Sequence, residues 1–557
     1  MDHSTRSRDP SWRSRLGARG RTLGIVASAG LLLGACAIKP EPLTLDQQLA
    51  QASLDREAMY ASQEPVTRPI ALEEALARAL KYNLDHRVAL MERALEDKAL
   101  DVATVDLLPE AAGRAGLRTR DNVQASSSRS IVSGRQSLEP STSTDQNLGT
   151  ADLQLSLNVL DFGLSYFGAK AQANRVLAAE QNRRRVVLAI ADQVRSAYWE
   201  AVTAEQLQPR VRAVLAEARQ ALSFARQAES ERLLPPLETL QFQRALLEIV
   251  QQLEIVESEL AIAKAQLAGL MNLPPGTAYT LAAPRRATPT RLPYRLGDLE
   301  TVAMVERPEI REELYAARNV VLETRSEIMR LLPGLSLFAG VNTDSNSFLV
   351  NSSWADAGLS VTWNLLRLVA VPSILAEGEA RREVADTRRL ALRMAILTQV
   401  NLAYRRYERA NRLYARSVEI SQVEARIASA VRSAEEQDAS STVERVRAQA
   451  ASVLAERARN RAFAEVQNSI GSLYAAAGFD PLPEVVAGVD VATLAREIAE
   501  TRAAIESGRV ELPRIPPAGA VQGTPVAAAT DAPGTAAPRT AYAAYSGALP
   551  PPRPAQE

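Results

Sequence analysis

Aromatic residues are scarce in this 557-residue chain: Phe, Trp and Tyr together make up 4%. A large globular core normally draws much of its buried area from such side chains, so one compact enzyme-like core is a poor fit. Histidine is limited to His3 and His86, and cysteine to Cys36. No metal cluster, disulfide framework or Cys/His dyad can be built from that set. Gly-rich cofactor motifs are missing too, so no catalytic residue, metal site or cofactor is expected. No segment offers ~20 consecutive apolar residues, which excludes a membrane-crossing helix. A chain of this kind crosses a bilayer only with strands in a closed barrel. Net charge is also absent, with 65 basic and 65 acidic residues. Residues 1–35 hold six Arg and two Asp, and the 59 basic and 63 acidic residues left without them give about −4. That argues against nucleic acid as a partner. Ala, Leu, Arg, Glu and Gln dominate instead, a set suited to long helices packed side by side.

The N-terminus reads as a targeting segment. Arg6, Arg8, Arg13, Arg15, Arg19 and Arg21 precede an apolar stretch from Leu23 to Leu33. At ~11 residues it is too short to span a bilayer and fits a signal peptide. It ends in Leu33-Gly34-Ala35-Cys36, which resembles the lipobox of bacterial lipoproteins. That resemblance implies cleavage after residue 35 and acylation of Cys36, with chains such as palmitate. Each buried CH₂ adds ~0.8 kcal/mol to anchoring. Ala37 rather than Asp follows, which by the same resemblance favours the outer membrane.

The chain contains itself twice. Residues 72–117 align with 296–341 at an offset of 224, matching Leu107-Leu108-Pro109 to Leu331-Leu332-Pro333. A second block aligns at an offset of 206: Asn158 matches Asn364, Ala197-Tyr198 matches Ala403-Tyr404, and Glu238 matches Glu444. Each copy reads as helix, strand, loop, strand, long helix, turn, long helix. Leu72, Ala75, Leu76, Ala79 and Leu80 form the stripe of the first helix. Pro109 and Pro333 stop the helices that lead into the strands.

Four segments have period two, with one apolar and one polar face. They run through Gly113–Arg118, Leu153–Val159, Leu335–Val341 and Ala357–Leu365. Each is near the length of a tilted transmembrane strand. Arg114, Arg118 and Arg120 fall on the polar side. They either line a pore that favours anionic cargo or simply solvate a barrel interior. Two hairpins leave open edges, and four strands are too few for a pore, since small barrels need ~8. Transmembrane strands would therefore demand several copies of the chain. The polar loops at 124–147 and 342–353 suit exposure outside the cell.

Residues 165–232 and 237–272 read as a long helical hairpin. In its second arm Leu246, Leu253, Leu260 and Leu267 are seven apart, as are Ile249, Val256, Ala263 and Leu270. Ile255 and Ile262 lie off that seam and mark a second face. The corresponding arm near 443–478 has a weaker heptad. An intramolecular coiled coil explains the seam equally well.

The ordered series ALEEALARALKYNLDHRVAL, LLP, LSLNVLDFG, VRSAYWEAV and GLMNLPP, with its second-copy partners, resembles the outer membrane efflux protein family over roughly residues 68–483. The resemblance implies a mainly α, TolC-like homotrimer. Long helical hairpins would form a periplasmic α-barrel, and four strands per chain would contribute to one twelve-stranded transmembrane β-barrel. It further implies an outer-membrane export channel, not an enzyme, docking a periplasmic adaptor (a membrane fusion protein) and an inner-membrane pump of the RND or ABC type. The corresponding segments are a signal peptide over 1–35, a lipid-anchored linker with a short helix over 36–67, a first repeat over 68–277, an equatorial insertion over 278–295, a second repeat over 296–483, a C-terminal equatorial segment over 484–511, and a disordered Pro/Ala-rich tail over 512–557. By the same resemblance the periplasmic gate falls on Glu444, with Glu238 as its first-copy counterpart. Arg447, one turn on from Glu444, is a candidate ion-pair partner for it or for a neighbouring chain. Exposed tip charges without a gate role are the alternative. Leu233-Leu234-Pro235-Pro236 and Ser440 depart from the family pattern at the tips. A periplasmic coiled-coil lipoprotein, scaffold or pump adaptor, is the competing class. It would share the lipid and the hairpins but has no need of duplicated strand pairs.

Overall fold

The computed structural model describes residues 40–61, 63–137, 139–231, 235–282, 292–437, 441–480 and 488–515, the side chain of Leu260 excepted. Cys36, the leader, Ser440 and the tail beyond residue 515 lie outside the described residues, as do Leu233 and Leu234. Residues up to Ser62 form one unit and those from Gln63 a second. The first contains a single described helix, α1 (Leu45–Met59), started by a capping box between Thr44 and Gln47 and burying none of its residues.

The second unit opens with α2 (Leu72–Tyr82) and α3 (Leu84–Val105). The sequence suggests one helix here. Asn83 interrupts it with an extended backbone and caps α3 through its side chain, which accepts from the Asp85 and His86 N–H groups. Its counterpart Arg307 divides α6 (Leu296–Glu306) from α7 (Pro308–Met329). Pro308 at the helix start has no N–H to leave orphaned. The helices end at Val105 and Met329, before Pro109 and Pro333 are reached.

Each repeat then gives two strands, β1 (Glu110–Thr119) and β4 (Asn147–Asn158) in the first, β5 (Gly334–Asp344) and β6 (Ser353–Thr362) in the second. A small ribbon, β2 (Ala125–Ser126) with β3 (Ser141–Thr142), decorates the first loop. The four long strands form one antiparallel sheet in the order β1-β4-β5-β6. The β4–β5 pairing joins the repeats.

Four helices complete the hairpins: α4 (Val159–Ser230), α5 (Pro236–Leu270), α8 (Val371–Glu435) and α9 (Thr442–Ala477). At 1.5 Å per residue the 72 residues of α4 extend about 108 Å. The helix begins at Val159, not near residue 165, because the Asn158 side chain accepts from Leu160 and Asp161 and converts strand to helix without a loop. The expected strand residue Val159 is thus helical. In the second repeat β6 stops at Thr362, so Trp363 and Leu365 lie beyond it, and a 3-10 turn (Leu365–Ala370) precedes α8.

Toward the hairpin tips the helices lie in the order α5-α4-α9-α8, and nearer the sheet in the order α3-α4-α7-α8. The heptad seam is the core of α5: Leu246, Leu253, Val256 and Leu267 are almost fully buried. Ile255 and Ile262, on the second face, are about half exposed (52% and 53%). Helix α10 (Val491–Glu506) packs on α2, held by an ion pair from Arg502 to Glu73 (2.5 Å). Beside it the chain at Ile70 pairs in parallel with Leu281, and the Tyr198 hydroxyl donates to the Ala282 carbonyl (2.7 Å). No described helix is long and apolar enough to cross a membrane.

Candidate functional site

Side chains alternate across the sheet, and the register decides which residues share a face. Gly113 pairs with Leu153, Leu153 with Val341, and Val341 with Ala355. The same face therefore carries Ala115, Leu117, Leu155, Leu157, Leu335, Leu337, Leu359 and Val361. Leu117, Leu153, Val341, Leu359 and Val361 are all more than half exposed. A large contiguous apolar surface on a solvated sheet marks a partner or a membrane.

The opposite face is polar but not uniformly positive. Arg114 pairs with Asp152 directly across the ladder (3.6 Å). Arg118 shares that face with Glu110, Asp152 and Asp356, and Asn342 donates to Asp356 (2.7 Å). Arg120 lies past the end of β1 and donates to Gln124 (2.6 Å). Of the two readings of these arginines, a pore favouring anions or a solvated interior, the interleaved carboxylates suit the second, since they offset the positive charge. Two aromatic residues break the polar pattern, Phe338 and Trp354. Phe338 folds over Gly358, where a Cβ would meet its ring at 2.4 Å. At the far end of the sheet the loops are tied together: Asp145 accepts from the Ser347 N–H (2.6 Å) and hydroxyl (3.0 Å).

At the hairpin tips Glu238 and Glu444 occupy the first turns of α5 and α9. There they complement the partial positive charge of the helix starts, worth ~0.3–1 kcal/mol each. The Ser441 side chain caps α9 by accepting from the Glu444 N–H (3.2 Å). Arg447 is exposed and makes no ion pair among the described residues, so the structure does not join it to Glu444. Its neighbour Arg445 takes that part with other partners. The Arg445 guanidinium bridges Glu217 of α4 and Glu435 at the end of α8. Glu435 also accepts from the Thr442 hydroxyl (2.9 Å), closing the tip. With its amide oriented to satisfy the network, Gln449 donates to Glu217 (2.6 Å) and accepts from Arg432 (3.0 Å). One cation thereby links the first-repeat hairpin to the second. Sequence reading passes over Arg445, although comparing the repeats offers a signal. Its counterpart is Thr239, a buried neutral side chain whose hydroxyl donates to the Pro235 carbonyl at its own helix start (3.2 Å). The glutamine is duplicated but its partner is not: Gln243, the counterpart of Gln449, donates to Glu229 of its own hairpin (2.6 Å).

Solved structures share this arrangement of one strand sheet and long helical hairpins. The Campylobacter jejuni CmeC outer membrane channel superposes with a TM-score of 0.58 at 14% identity, covering 83% of this chain and 97% of that one. The open state of the Neisseria gonorrhoeae MtrE outer membrane channel gives 0.57 at 19%, covering 73% and 88%. The outer-membrane channel OprN gives 0.55 at 16%, covering 80% and 99%. The chain has the fold of these outer-membrane channels. The TolC-like architecture expected from the duplicated series is the one observed. No family model and no curated protein matches the sequence. This chain carries the apolar sheet face, the polar face and the hairpin tips on one fold. Its two repeats supply the two halves of each layer.

Proposed function

We propose that this chain is the outer-membrane channel of a tripartite export system, a lipid-anchored protomer that closes a pore with two further copies. The observation that carries the reading is an asymmetry between counterpart positions. On α4, Leu207, Val214 and Ala221 are buried, whereas their counterparts on α8, Leu413, Ile420 and Ile427, are 54%, 51% and 44% exposed. On α9, Val446 and Val453 are fully buried, whereas their counterparts on α5, Leu240 and Leu247, are 51% and 46% exposed. The α4 and α9 surfaces are covered inside the chain. The matching α8 and α5 surfaces are the two outer edges of the helical layer, and both leave apolar side chains uncovered. The sheet repeats the logic with open edges at β1 and β6. An open edge is not tolerated in hydrocarbon, so strand closure must come from copies of the chain. Three copies give a twelve-stranded barrel, within the range of such barrels.

In this reading Cys36 carries the lipid, the apolar sheet face meets the bilayer, and the hairpins reach through the periplasm toward an adaptor and an inner-membrane pump that supplies the energy. The chain itself carries no chemistry, and its work is gating and conduction. The transported substrate is left open. The test is to purify the chain from membranes and add it to planar bilayers. Stepwise conductance together with an SDS-resistant trimer is the expected result. A monomer inert in bilayers would indicate a periplasmic scaffold instead and end the channel reading.

A further inference from the structure

The two repeats differ at the junction of strand and long helix. In the first, Asn158 ends β4, caps α4, and the next residue is helical. Its counterpart Asn364 makes no side-chain cap, and the six residues Leu365–Ala370, LLRLVA, wind as a 3-10 turn before α8 begins. None of the six is buried. Leu366 is 84% exposed, Val369 81%, Leu365 60% and Leu368 40%. In a 3-10 turn side chains three apart eclipse, so Leu366 and Val369, the two most exposed, share one face. Each such side chain held in water forgoes ~1.5–3 kcal/mol of burial. The first repeat offers a smaller surface: its counterparts Val159 and Phe162 are 47% and 46% exposed, while Asp161 stands opposite Arg367 and Gly163 opposite Val369.

The surroundings indicate what covers the turn. Residues Ala357, Leu359 and Val361 of β6 lie on the apolar face of the sheet, and Trp363 and Leu365 continue the same parity. The Trp363 indole donates to the Leu331 carbonyl (3.0 Å), which pins the ring at the base of the β5–β6 hairpin beside Leu332, itself 55% exposed. The apolar belt of the sheet is thus continuous with the turn. Arg367 sits in the middle of it, a cation on a long stem between apolar neighbours. That pattern suits the boundary between acyl chains and phosphates, where apolar side chains insert and Arg reaches for the headgroup.

We infer that Leu365–Ala370 is a lipid-inserted turn, seating Leu366 and Val369 among the acyl chains of the leaflet nearest the helices, with Arg367 on a phospholipid phosphate. The inference rests on the channel reading. The test uses the unaltered full-length protein in phospholipid vesicles, with a hydrophobic diazirine partitioned into the bilayer and glutathione in the water to consume escaping carbenes. After photolysis the adducts are located by mass spectrometry. Leu359 and Val361 report on the barrel, and Leu366 and Val369 on the turn. The expected result is labelling of Leu366 and Val369 to at least about half the level at Leu359. Labelled strands with an unlabelled turn would overturn the inference and leave the channel reading intact, since the turn is then covered by protein or water. Absence of label from the strands as well would overturn both.

Discussion

Replacing Arg445 by Met tests the link between the two hairpins. The guanidinium is 21% exposed, Glu435 25% and Glu217 39%. A fully exposed pair of this kind contributes ~0–1 kcal/mol. Breaking a fully buried one costs ~3–5 kcal/mol, because a charge is left without its partner. The Arg445 site lies between these limits. Glu217, more than a third exposed, is screened by solvent and pulls the figure down. Glu435 pulls it up, since losing the cation leaves two carboxylates beside one another. An intermediate value of ~1–3 kcal/mol follows. At 1.4 kcal/mol per tenfold, the balance between joined and separated tips should move by about 5- to 150-fold. The measurement is single-channel recording of purified Arg445→Met. It should open more often than the parent, with the conductance of the fully open pore unchanged. Arg445→Lys keeps the charge but lacks the fork that reaches two carboxylates, and should fall between. A double-mutant cycle with Glu217→Gln isolates the inter-hairpin component. The reasoning is refuted if Arg445→Met gates like the parent, or if Arg447→Met, which breaks no ion pair among the described residues of the chain, opens the channel equally.

Other substitutions probe separate parts of the molecule. Glu444→Ala should lower cation selectivity and alter conductance if the three copies place this carboxylate around the axis; unchanged reversal potentials and conductance would reduce Glu444 to its helix-start role. Gly471→Ala should lower the thermal midpoint by an amount equivalent to ~1–3 kcal/mol, the usual cost of overpacking. A Cβ there would lie 2.4 Å from Cδ and 2.7 Å from Nη1 of Arg195, a buried side chain that cannot swing away. His86 is buried, and burial holds its pKa below the ordinary 6.5, with the Arg183 cation acting the same way. The unfolded chain therefore takes up a proton that the folded chain refuses, so this contribution to stability is complete above pH 6.5 and declines as pH falls below it. The thermal midpoint of the parent should drop more between about pH 7 and about pH 5 than that of His86→Gln; parallel curves would remove His86 from the account.

The sheet was legible because period two survives in sequence whatever the strands pair with. Leu153, Leu155 and Leu157 must share a face, and they do. The order of the strands was legible only through the duplication, which offers two hairpins but does not say that β4 and β5 join them. The α5 seam was legible for the same reason as the strands: Leu246, Leu253 and Leu267 repeat with the helix and are buried. Boundaries were less visible. Asn158 and Asn364 occupy matching positions, yet one caps a helix directly and the other leads into a 3-10 turn, because the residues that follow differ. Arg445 was hidden by distance, since Glu217 lies 228 residues away and no local pattern marks the pair. Arg114 appears alone in the sequence, because its partner Asp152 becomes a neighbour only when β1 and β4 pair.

The duplication carries one further consequence for gating. Inside the chain the seam between α4 and α9 is ionic as well as apolar: Arg210 pairs with Glu456 and Arg445 reaches Glu217, and Arg184 pairs with Asp480 just past the end of α9 (3.3 Å). The seam proposed between copies, α8 against α5, would reuse the same positions. There Arg416 and Val250 replace Arg210 and Glu456, and Val423 and Thr239 replace Glu217 and Arg445. Arg416 pairs instead with Glu419 of its own helix (2.5 Å). The counterpart ion pairs are therefore lost, and Leu240, Leu247, Leu413 and Ile420 supply apolar surface in their place. Apolar contact is insensitive to small rotations, whereas an ion pair is made or broken within an ångström or two. In the closed ring, movement at the tips should thus begin at the ionic seam within each chain, the second-repeat hairpin swinging from the first, while the apolar seams keep the copies together.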